Sequence, residues 1–310
     1  MPDVAAAERH LRERLGSRLR TGFPLAPLTS FRIGGPAALF VDAQADEDLG
    51  AVAEATTATD VPVAVIGKGS NVLISDQGFP GIVIRLGKAY RWAARDAGAL
   101  SAGGAMPLPA LAGVALRHLL SGLEFGVAIP ASLGGAVKMN AGAHGRSIAD
   151  VLARVEVFVL EPGRGRRSIA AGDAGFRYRG SDLPERGVVV GAVLALEAGE
   201  DGPIRERMEE AREWRRRTQP IAEPNCGSVF KNPEGAHAAQ LIEAAGAKGL
   251  RIGGARISEK HANFIVADPG ASAADVWTLV ERVRDAVEAR SGIRLETEVQ
   301  LLGAVADAIR

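Results

Sequence analysis

The stretch from Gly126 to Gly145 restricts the possible folds most, because its side chains are too small to build a core by themselves. Ten of its twenty residues are glycine or alanine, with apolar residues between them. A flexible linker would lack those apolar neighbours, so this backbone is expected to pack closely against something flat or bulky. A ligand is one candidate for that surface, and a neighbouring helix is the other.

The balance of charges argues against binding to nucleic acid or to an anionic membrane. The 310 residues include 37 basic and 37 acidic side chains, so any charged ligand must be held by local groups. A chain of this length is expected to form two or three domains. Cys226 is the only cysteine, which excludes an internal disulfide, and five scattered histidines without a metal-binding spacing argue against a metal site.

No export or membrane signal is visible in the sequence. Residues 1–10 lack an apolar signal core, and no run of about 18 apolar residues occurs anywhere in the chain. The sequence therefore predicts a cytoplasmic protein that does not bind a membrane.

Helical and strand patterns alternate along the chain. Pro62–Ile66 is rich in β-branched residues and predicts a buried strand. Ala273–Arg290 predicts a helix with Ser272 and Asp275 as its capping pair and Gly292 just beyond its end. Both kinds of element are expected in the fold.

Two charged segments lie near the C-terminal third of the chain. Arg294–Leu302 predicts a final strand whose alternation places Glu296 and Glu298 on the same face. The Arg215–Arg217 run ends a predicted charged helix and is most simply a solvated helix end.

The segment Gly67–Asp76 follows a predicted strand, and its glycines would let successive backbone N–H groups point at an anion. It is not a Rossmann fingerprint, because position 72 is valine in place of a third glycine and the chain continues into another strand. The GxxxxGK[ST] spacing of a Walker loop is also absent. Phosphate binding and an ordinary glycine turn both stay open for this segment.

A second candidate for cofactor binding is Ile129–Ala143. Ser132 predicts a serine-capped helix start, and the small residues that follow would let a cofactor approach the backbone. Close packing against a neighbouring helix is the alternative.

The segment Asn225–Pro233 brings Ser228, Lys231 and Asn232 together in one turn bounded by glycine and proline. Loops on a rigid scaffold often carry catalytic residues. Taken alone, the same segment is also typical of a strand entry followed by an ordinary turn.

These three segments and the Tyr178-Arg179 motif occur in an order that resembles the UDP-N-acetylenolpyruvoylglucosamine reductases, the MurB family of flavoenzymes. The resemblance extends from about Thr29 to Gly303. The two glycine-rich segments are shared with the wider group of flavoproteins that have a vanillyl-alcohol-oxidase-type FAD domain, so they indicate the cofactor. The turn at Gly227–Pro233, the Tyr-Arg-x-Ser motif and the late Glu-Val pair indicate the reductase.

The resemblance implies an α+β fold with a two-subdomain FAD-binding unit of the vanillyl-alcohol-oxidase (PCMH-like) type and a separate α+β substrate-binding domain. The implied boundaries are 1–87 for the first FAD-binding subdomain, completed by a C-terminal strand at 294–310, then 88–217 for the second subdomain and 218–293 for the substrate domain. The chain also resembles the shorter subtype of the family, which lacks an extra tyrosine-bearing loop, and a monomer is expected.

The reaction implied by the resemblance is the NADPH-dependent, FAD-mediated reduction of UDP-N-acetylglucosamine enolpyruvate to UDP-N-acetylmuramate in peptidoglycan precursor synthesis. The implied contacts to FAD come from Gly67, Lys68, Gly69, Ser70, Asn71 and Val72, and from Ile129, Pro130, Ala131, Ser132, Gly134, Gly135, Asn140, Gly142 and Ala143. Two alternatives stay open: an FAD-dependent oxidase or dehydrogenase of a small hydroxy acid or alcohol, and a non-catalytic nucleotide-binding module.

By the same resemblance, Ser228 donates a proton to the substrate carbon, while Arg179 and Glu298 stabilise and orient an enol-like intermediate. The alternation of the last strand leaves Glu296 and Glu298 equivalent, but the family's glutamate immediately before valine corresponds to Glu298. Substrate binding is assigned to Tyr178, Lys231, Asn232 and, near the expected diphosphate, Arg217. As ordinary structural residues, Arg179 and Glu298 would be surface charges and Ser228 a turn former.

Overall fold

The computed structural model describes residues 2–96 and 99–305. Its helices are α1 (Val4–Leu15), α2 (Asp46–Thr59), α3 (Leu108–Arg117), α4 (Leu133–Lys138), α5 (Asp201–Thr218), α6 (Ala238–Ala244) and α7 (Ala273–Ser291). The strands are β1 (Leu19–Pro24), β2 (Pro36–Ala43), β3 (Val63–Val65), β4 (Val72–Ile74), β5 (Phe79–Leu86), β6 (Ala93–Asp96), β7 (Ala99–Gly103), β8 (Leu120–Ser121), β9 (Gly142–Ala143), β10 (Arg146–Ser147), β11 (Leu152–Val159), β12 (Gly165–Ala170), β13 (Gly187–Ala195), β14 (Glu197–Ala198), β15 (Asn225–Ser228), β16 (Arg251–Ile252), β17 (Ala255–Ile257), β18 (Phe264–Ala267) and β19 (Gln300–Leu302).

The chain forms two compact units, each assembled from separate pieces of sequence. The first contains Met1–Thr21, Leu39–Lys68 and Pro80–Trp214, and the second contains Gly22–Ala38, Gly69–Phe79 and Arg215–Arg310. The three-domain division implied by the resemblance stays a prediction, and residues 306–310 of its C-terminal strand lie outside the described residues.

The first unit is built around a five-stranded antiparallel sheet in the order β12-β11-β13-β7-β6. Helix α4 packs on β13, and its Leu133 and Val137 join the apolar core that this sheet contributes. A second sheet, in the order β1-β2-β5-β3, shares another core with α1 and α2. The glycine- and alanine-rich stretch thus packs its short helix against a strand.

The second unit holds an antiparallel sheet in the order β15-β18-β17-β16, with α6 and α7 contributing to the same core. The buried residues of α7 recur at helical spacing, as Val276, Leu279, Val280, Val283 and Val287. Each such side chain contributes about 1.5–3 kcal/mol on burial. This apolar stripe attaches α7 to the unit.

Helix α7 begins at the predicted Ala273 and ends at Ser291, one residue beyond the predicted Arg290. Ser272 and Asp275 form a reciprocal capping box, and Gly292 adopts the left-handed conformation at the C-terminal cap. Asp76 adds a second cap, because its carboxylate accepts hydrogen bonds from the N–H groups of Ala273 (2.8 Å) and Ala274 (3.2 Å).

Two predicted strands differ from the structure. The strand at Pro62–Ile66 exists as β3, but it is an edge strand with Val65 49% exposed, so the prediction of a buried strand is wrong. The final strand is regular only over β19, which pairs with β4 in parallel. Leu295 and Val299 are buried and Glu296 is exposed, as the alternation predicts, but Leu301 of β19 is 37% exposed.

In the described part of the chain, no helix is long and apolar enough to cross a membrane.

Candidate active site

A β-bulge orients Ser228 in the second unit. Strand β15 pairs Asn225 with Val266 and Ser228 with Phe264, so three steps on one strand face two on the other. Gly227 takes up the extra residue at a φ of 80°, which a side chain would disfavour. The side chain of Asn225 holds the bulge, since its Oδ1 accepts a hydrogen bond from Gly227 N at 2.9 Å.

The backbone that follows Ser228 is clamped by Asn263, a residue that the sequence reasoning missed. Asn263 Oδ1 accepts from Phe230 N at 2.9 Å, and its Nδ2 donates to Phe230 O at 2.8 Å. A buried amide with both ends satisfied holds a segment rigidly. The available signal was a lone asparagine at the start of the apolar run that becomes β18.

Glu298 lies beside this turn through backbone pairing. Glu298 N donates to Val229 O at 2.7 Å, and Glu298 O accepts from Asn71 Nδ2 at 3.2 Å. Burial raises the pKa of the Cys226 thiol, and the negative charge of Glu298 raises it further. The structure therefore brings Ser228, Glu298 and the predicted cofactor residue Asn71 into one neighbourhood.

The other acidic candidate, Glu296, has a different environment. Its carboxylate lies 3.2 Å from the Nζ of Lys231, and its side chain is 77% exposed, so the pair contributes little to stability. Asn232 Oδ1 accepts from Ala238 N at 3.0 Å, at the start of α6. Both predicted substrate residues thus have protein partners in the structure.

In the first unit, Gly67 comes so close to Ser132 that the two predicted cofactor segments touch. A Cβ added at Gly67 would lie 2.4 Å from Ser132 Oγ. The predicted serine cap is confirmed, because that Oγ accepts a hydrogen bond from Gly135 N at 3.4 Å. Exposed glycine backbone beside a helix start suits a diphosphate-bearing cofactor, so these residues fit FAD.

Tyr178 and Arg179 occupy the tip of a tight turn in the first unit. Arg177 and Gly180 exchange two backbone hydrogen bonds across it, at 3.0 and 3.1 Å. The guanidinium of Arg179 lies over the Tyr178 ring at 5.1 Å, which is a cation–π contact. The backbone of Arg179 has a φ of 57°.

The predicted site residues are divided between the two units. The first unit contains Tyr178, Arg179, Gly67, Lys68 and the whole Ile129–Ala143 segment. The second unit contains Ser228, Lys231, Asn232, Glu298, Arg217 and the predicted cofactor residues Gly69, Ser70, Asn71 and Val72.

The arginine run at the end of α5 is only partly solvated. Arg217 is exposed, as predicted for a helix end. Arg215 is half-buried and donates from Nε to Gln219 Oε1 at 3.0 Å, so the prediction of a wholly solvated run is wrong for Arg215.

Comparison with known proteins identifies the family. A family model described as UDP-N-acetylenolpyruvoylglucosamine reductase, C-terminal domain, matches residues 219–302, and an FAD binding domain model matches residues 37–165. The UDP-N-acetylenolpyruvoylglucosamine reductase of Carboxydothermus hydrogenoformans is 43% identical over 302 residues, covering 97% of this chain and 99% of that protein. The chain belongs to the UDP-N-acetylenolpyruvoylglucosamine reductase family. The predicted flavin oxidoreductase and its FAD cofactor are thereby confirmed.

Further relatives agree with this membership. The reductase of Heliobacterium modesticaldum is 45% identical over 282 residues, or 90% of this chain and 89% of that protein. The crystal structure of the MurB reductase from Thermus caldophilus has a TM-score of 0.79 and 38% identity, covering 92% of this chain and 98% of that one. The predicted α+β fold with a vanillyl-alcohol-oxidase-type FAD domain is confirmed.

Proposed function

We propose that this chain reduces UDP-N-acetylglucosamine enolpyruvate to UDP-N-acetylmuramate with NADPH as the reductant, and that Ser228, Arg179 and Glu298 carry the chemistry. The observation that carries the proposal is the backbone pairing of Val229 with Glu298, which sets the carboxylate-bearing segment beside the bulge that orients Ser228. Family membership supports the reaction, because the relatives are named for it.

Reduction of this enol ether needs a hydride at the terminal carbon and a proton at the adjacent carbon. Bound FAD supplies the hydride, since no side chain can donate one. Gly67, Ser132 and the backbone around Asn71 are the residues proposed to hold it.

Ser228 is proposed to deliver the proton from its hydroxyl. A serine hydroxyl is a weak acid, so it can protonate only a strongly basic, carbanion-like carbon held at hydrogen-bond range. The bulge at Gly227 and the Asn263 clamp on Phe230 support this role, because they fix the backbone on both sides of the serine.

Arg179 is proposed to bind the substrate carboxylate. Negative charge accumulates there as the hydride arrives, so a guanidinium stabilises the transition state more than the ground state. Glu298 is proposed to orient the same intermediate. Glu298 is partly buried whereas the side chain of Glu296 is 77% exposed, which favours Glu298 over Glu296 for this role.

Substrate binding by Tyr178, Lys231, Asn232 and Arg217 belongs to the same proposal, as do a monomeric state and a cytoplasmic location. A nucleotide sugar and NADPH both carry phosphate charge, which confines them to one side of a membrane and favours a site in the compartment that makes them.

The deciding assay follows NADPH oxidation with and without the enolpyruvyl sugar. We expect rapid turnover only when the sugar is present. Turnover of a hydroxy acid or an alcohol with reduction of oxygen, and none with the sugar, would overturn the proposal in favour of an oxidase.

Ser228→Ala tests the proton donor. The variant should reduce its flavin with NADPH at nearly the normal rate, because no proton from Ser228 is needed there. Reoxidation by the sugar should slow by about 10²-fold or more. Stopped-flow absorbance of the flavin separates the two half-reactions, and an equal loss in both would remove Ser228 from this role.

A further inference from the structure

The turn from Arg177 to Gly180, called the arginine turn below, has a backbone that needs external support. Arg179 is its second central residue and has a φ of 57°, at a position where such turns usually require glycine or asparagine. A non-glycine residue in this conformation is disfavoured and persists only when its surroundings hold it there. The contacts that hold the turn therefore bear directly on where the guanidinium points.

The first support comes from Asn140, just beyond the end of α4. Its Nδ2 donates to the carbonyl of Arg177 at 3.1 Å, and its Oδ1 accepts from Ala149 N at 2.9 Å. The same Arg177 carbonyl also accepts the N–H of Gly180, so both of its lone pairs are used at the base of the turn. Asn140 is buried, and its two amide ends serve protein partners.

The second support comes from Lys138, the last residue of α4. Its Nζ donates to the carbonyls of Leu183 (2.9 Å) and Pro184 (3.0 Å), and its own carbonyl accepts from Ser181 Oγ at 2.8 Å. Burial lowers the pKa of the Lys138 ammonium, against the opposing charge of Glu185. A half-buried cation with two carbonyl partners is a structural anchor for the chain that leaves the turn.

The two supports hold the chain at the start of the arginine turn and after it, and both come from the C-terminal end of α4. Asn140 holds the entry at Arg177, while Lys138 holds the exit at Ser181–Pro184. Since α4 is fixed in the core through Leu133 and Val137, its C-terminal end is a rigid mount for the turn.

We propose that Asn140 and Lys138 are positioning residues that fix the direction of the Arg179 guanidinium, which extends the proposed role of Arg179. Asn140 then acts through the arginine turn, and its amide does not serve as a contact to the cofactor. A carboxylate-binding arginine must be held in one geometry to favour the transition state. Loss of the contacts that support the arginine turn should therefore slow the reoxidation of the flavin by the sugar.

The test uses Asn140→Asp and Lys138→Met in the FAD-loaded protein. Aspartate keeps the acceptor for Ala149 and tolerates the left-handed backbone of Asn140 (φ 42°), but it faces the Arg177 carbonyl with an oxygen. Methionine keeps the apolar stem of Lys138 and removes the ammonium. Each variant should slow flavin reoxidation by the sugar about tenfold or more and leave flavin reduction by NADPH within about twofold. Lys138→Arg should restore most of the lost rate.

A double-mutant cycle separates positioning from general damage. In an Arg179→Ala background, Asn140→Asp should have almost no further effect on reoxidation, because the group that it positions is gone. Lys248→Met is the control, since it removes an exposed ion pair with Glu243 in the second unit, and it should keep both half-reactions. Flavin content, thermal unfolding and the dissociation constant of the sugar are measured for every variant.

The outcomes are distinguishable. If Arg179→Ala reoxidises at the normal rate, Arg179 has no catalytic role, and its proposed role and the positioning proposal both fall while the proposed reaction stands. A second outcome is that Arg179→Ala slows reoxidation and that Asn140→Asp then slows it further by the same factor as in the unaltered protein. In that case Asn140 acts independently of Arg179, and only the positioning proposal fails. Loss of FAD from Asn140→Asp, with normal reoxidation of the loaded fraction, would make Asn140 a cofactor contact and also overturn the positioning proposal.

Discussion

Arg179 combines a strained backbone with a proposed catalytic side chain, and the two can be separated by substitution. Its φ of 57° costs a residue with a Cβ about 1–2 kcal/mol. Arg179→Gly should remove that strain, whereas Arg179→Ala should keep it. We therefore expect the glycine variant to unfold at a higher denaturant concentration than the alanine variant, while both reoxidise the flavin equally slowly.

Denaturant titration of the flavin-free variants, with Arg179→Ala as the matched reference, measures the strain. An alanine variant as stable as the glycine variant would contradict it. Residues at functional sites often keep a strained backbone. Selection for function can retain a conformation that lowers the stability of the protein.

For single residues, the sequence indicated which side chains take part in the chemistry, but it did not reveal how the fold orients them. The motif at Gly227–Pro233 resembles that of the family, and this resemblance indicates Ser228 as the proton donor. The bulge that orients Ser228 depends on where β18 pairs with β15, and no local pattern encodes that register. Asn263 was missed for the same reason, because its partner Phe230 lies 33 residues away in sequence.

At the scale of elements, His261 makes the clamp on the Ser228 turn sensitive to acid. Its Nδ1 accepts a hydrogen bond from Asn263 N at 3.2 Å, which requires the neutral ring. Burial lowers the pKa of His261 below its ordinary 6.5, so the unfolded chain takes up a proton at a higher pH than the folded one. The contribution of His261 to stability is therefore fully present above pH 6.5. It is lost as the pH falls from 6.5 toward the pKa of His261 in the folded protein.

His261→Asn should flatten this dependence, because the asparagine oxygen can accept the same hydrogen bond without titrating. Between pH 7.5 and 5.5, we expect the unfolding temperature of the unaltered protein to fall more steeply than that of His261→Asn. His118→Asn provides the control, since His118 is exposed. Parallel pH profiles for the unaltered protein and His261→Asn would contradict the assignment.

Elements whose signals are local were predictable, and those that depend on a distant partner were not. Helix α7 carries both of its caps and its apolar stripe in its own sequence, so its start was predicted correctly and its end to within one residue. The final strand was predicted from alternation alone. Only β19 is a regular strand, and its parallel partner β4 lies more than 200 residues earlier, which a periodic pattern cannot reveal.

For the whole molecule, the position of a segment along the sequence does not predict which of the two compact units it joins. The second unit combines Gly22–Ala38 and Gly69–Phe79 with the C-terminal third of the chain. Parallel pairing of β4 with β19 joins two of these pieces across more than 200 residues. Such long-range closure is encoded in contacts between distant residues, and composition or hydropathy along the chain cannot reveal it.

A ligand that binds only the folded protein must stabilise it, so FAD should raise the unfolding temperature of this chain. At a free concentration 100 times the dissociation constant, the gain is about 2.7 kcal/mol. Gly67→Ala should weaken this effect, because the new Cβ would lie 2.4 Å from Ser132 Oγ and displace it from its bond to Gly135 N. Gly202→Ala meets no atom within 4 Å and serves as the control.

Thermal unfolding of the flavin-free protein over a titration of FAD measures the linkage, and flavin absorbance after gel filtration measures retention. The unaltered protein and Gly202→Ala should show the same rise of unfolding temperature with FAD. Gly67→Ala should need a higher concentration of FAD for an equal rise and should retain less of it. If all three responded alike, the close contact of Gly67 with Ser132 would be mere packing, and the cofactor would have to be held by other residues.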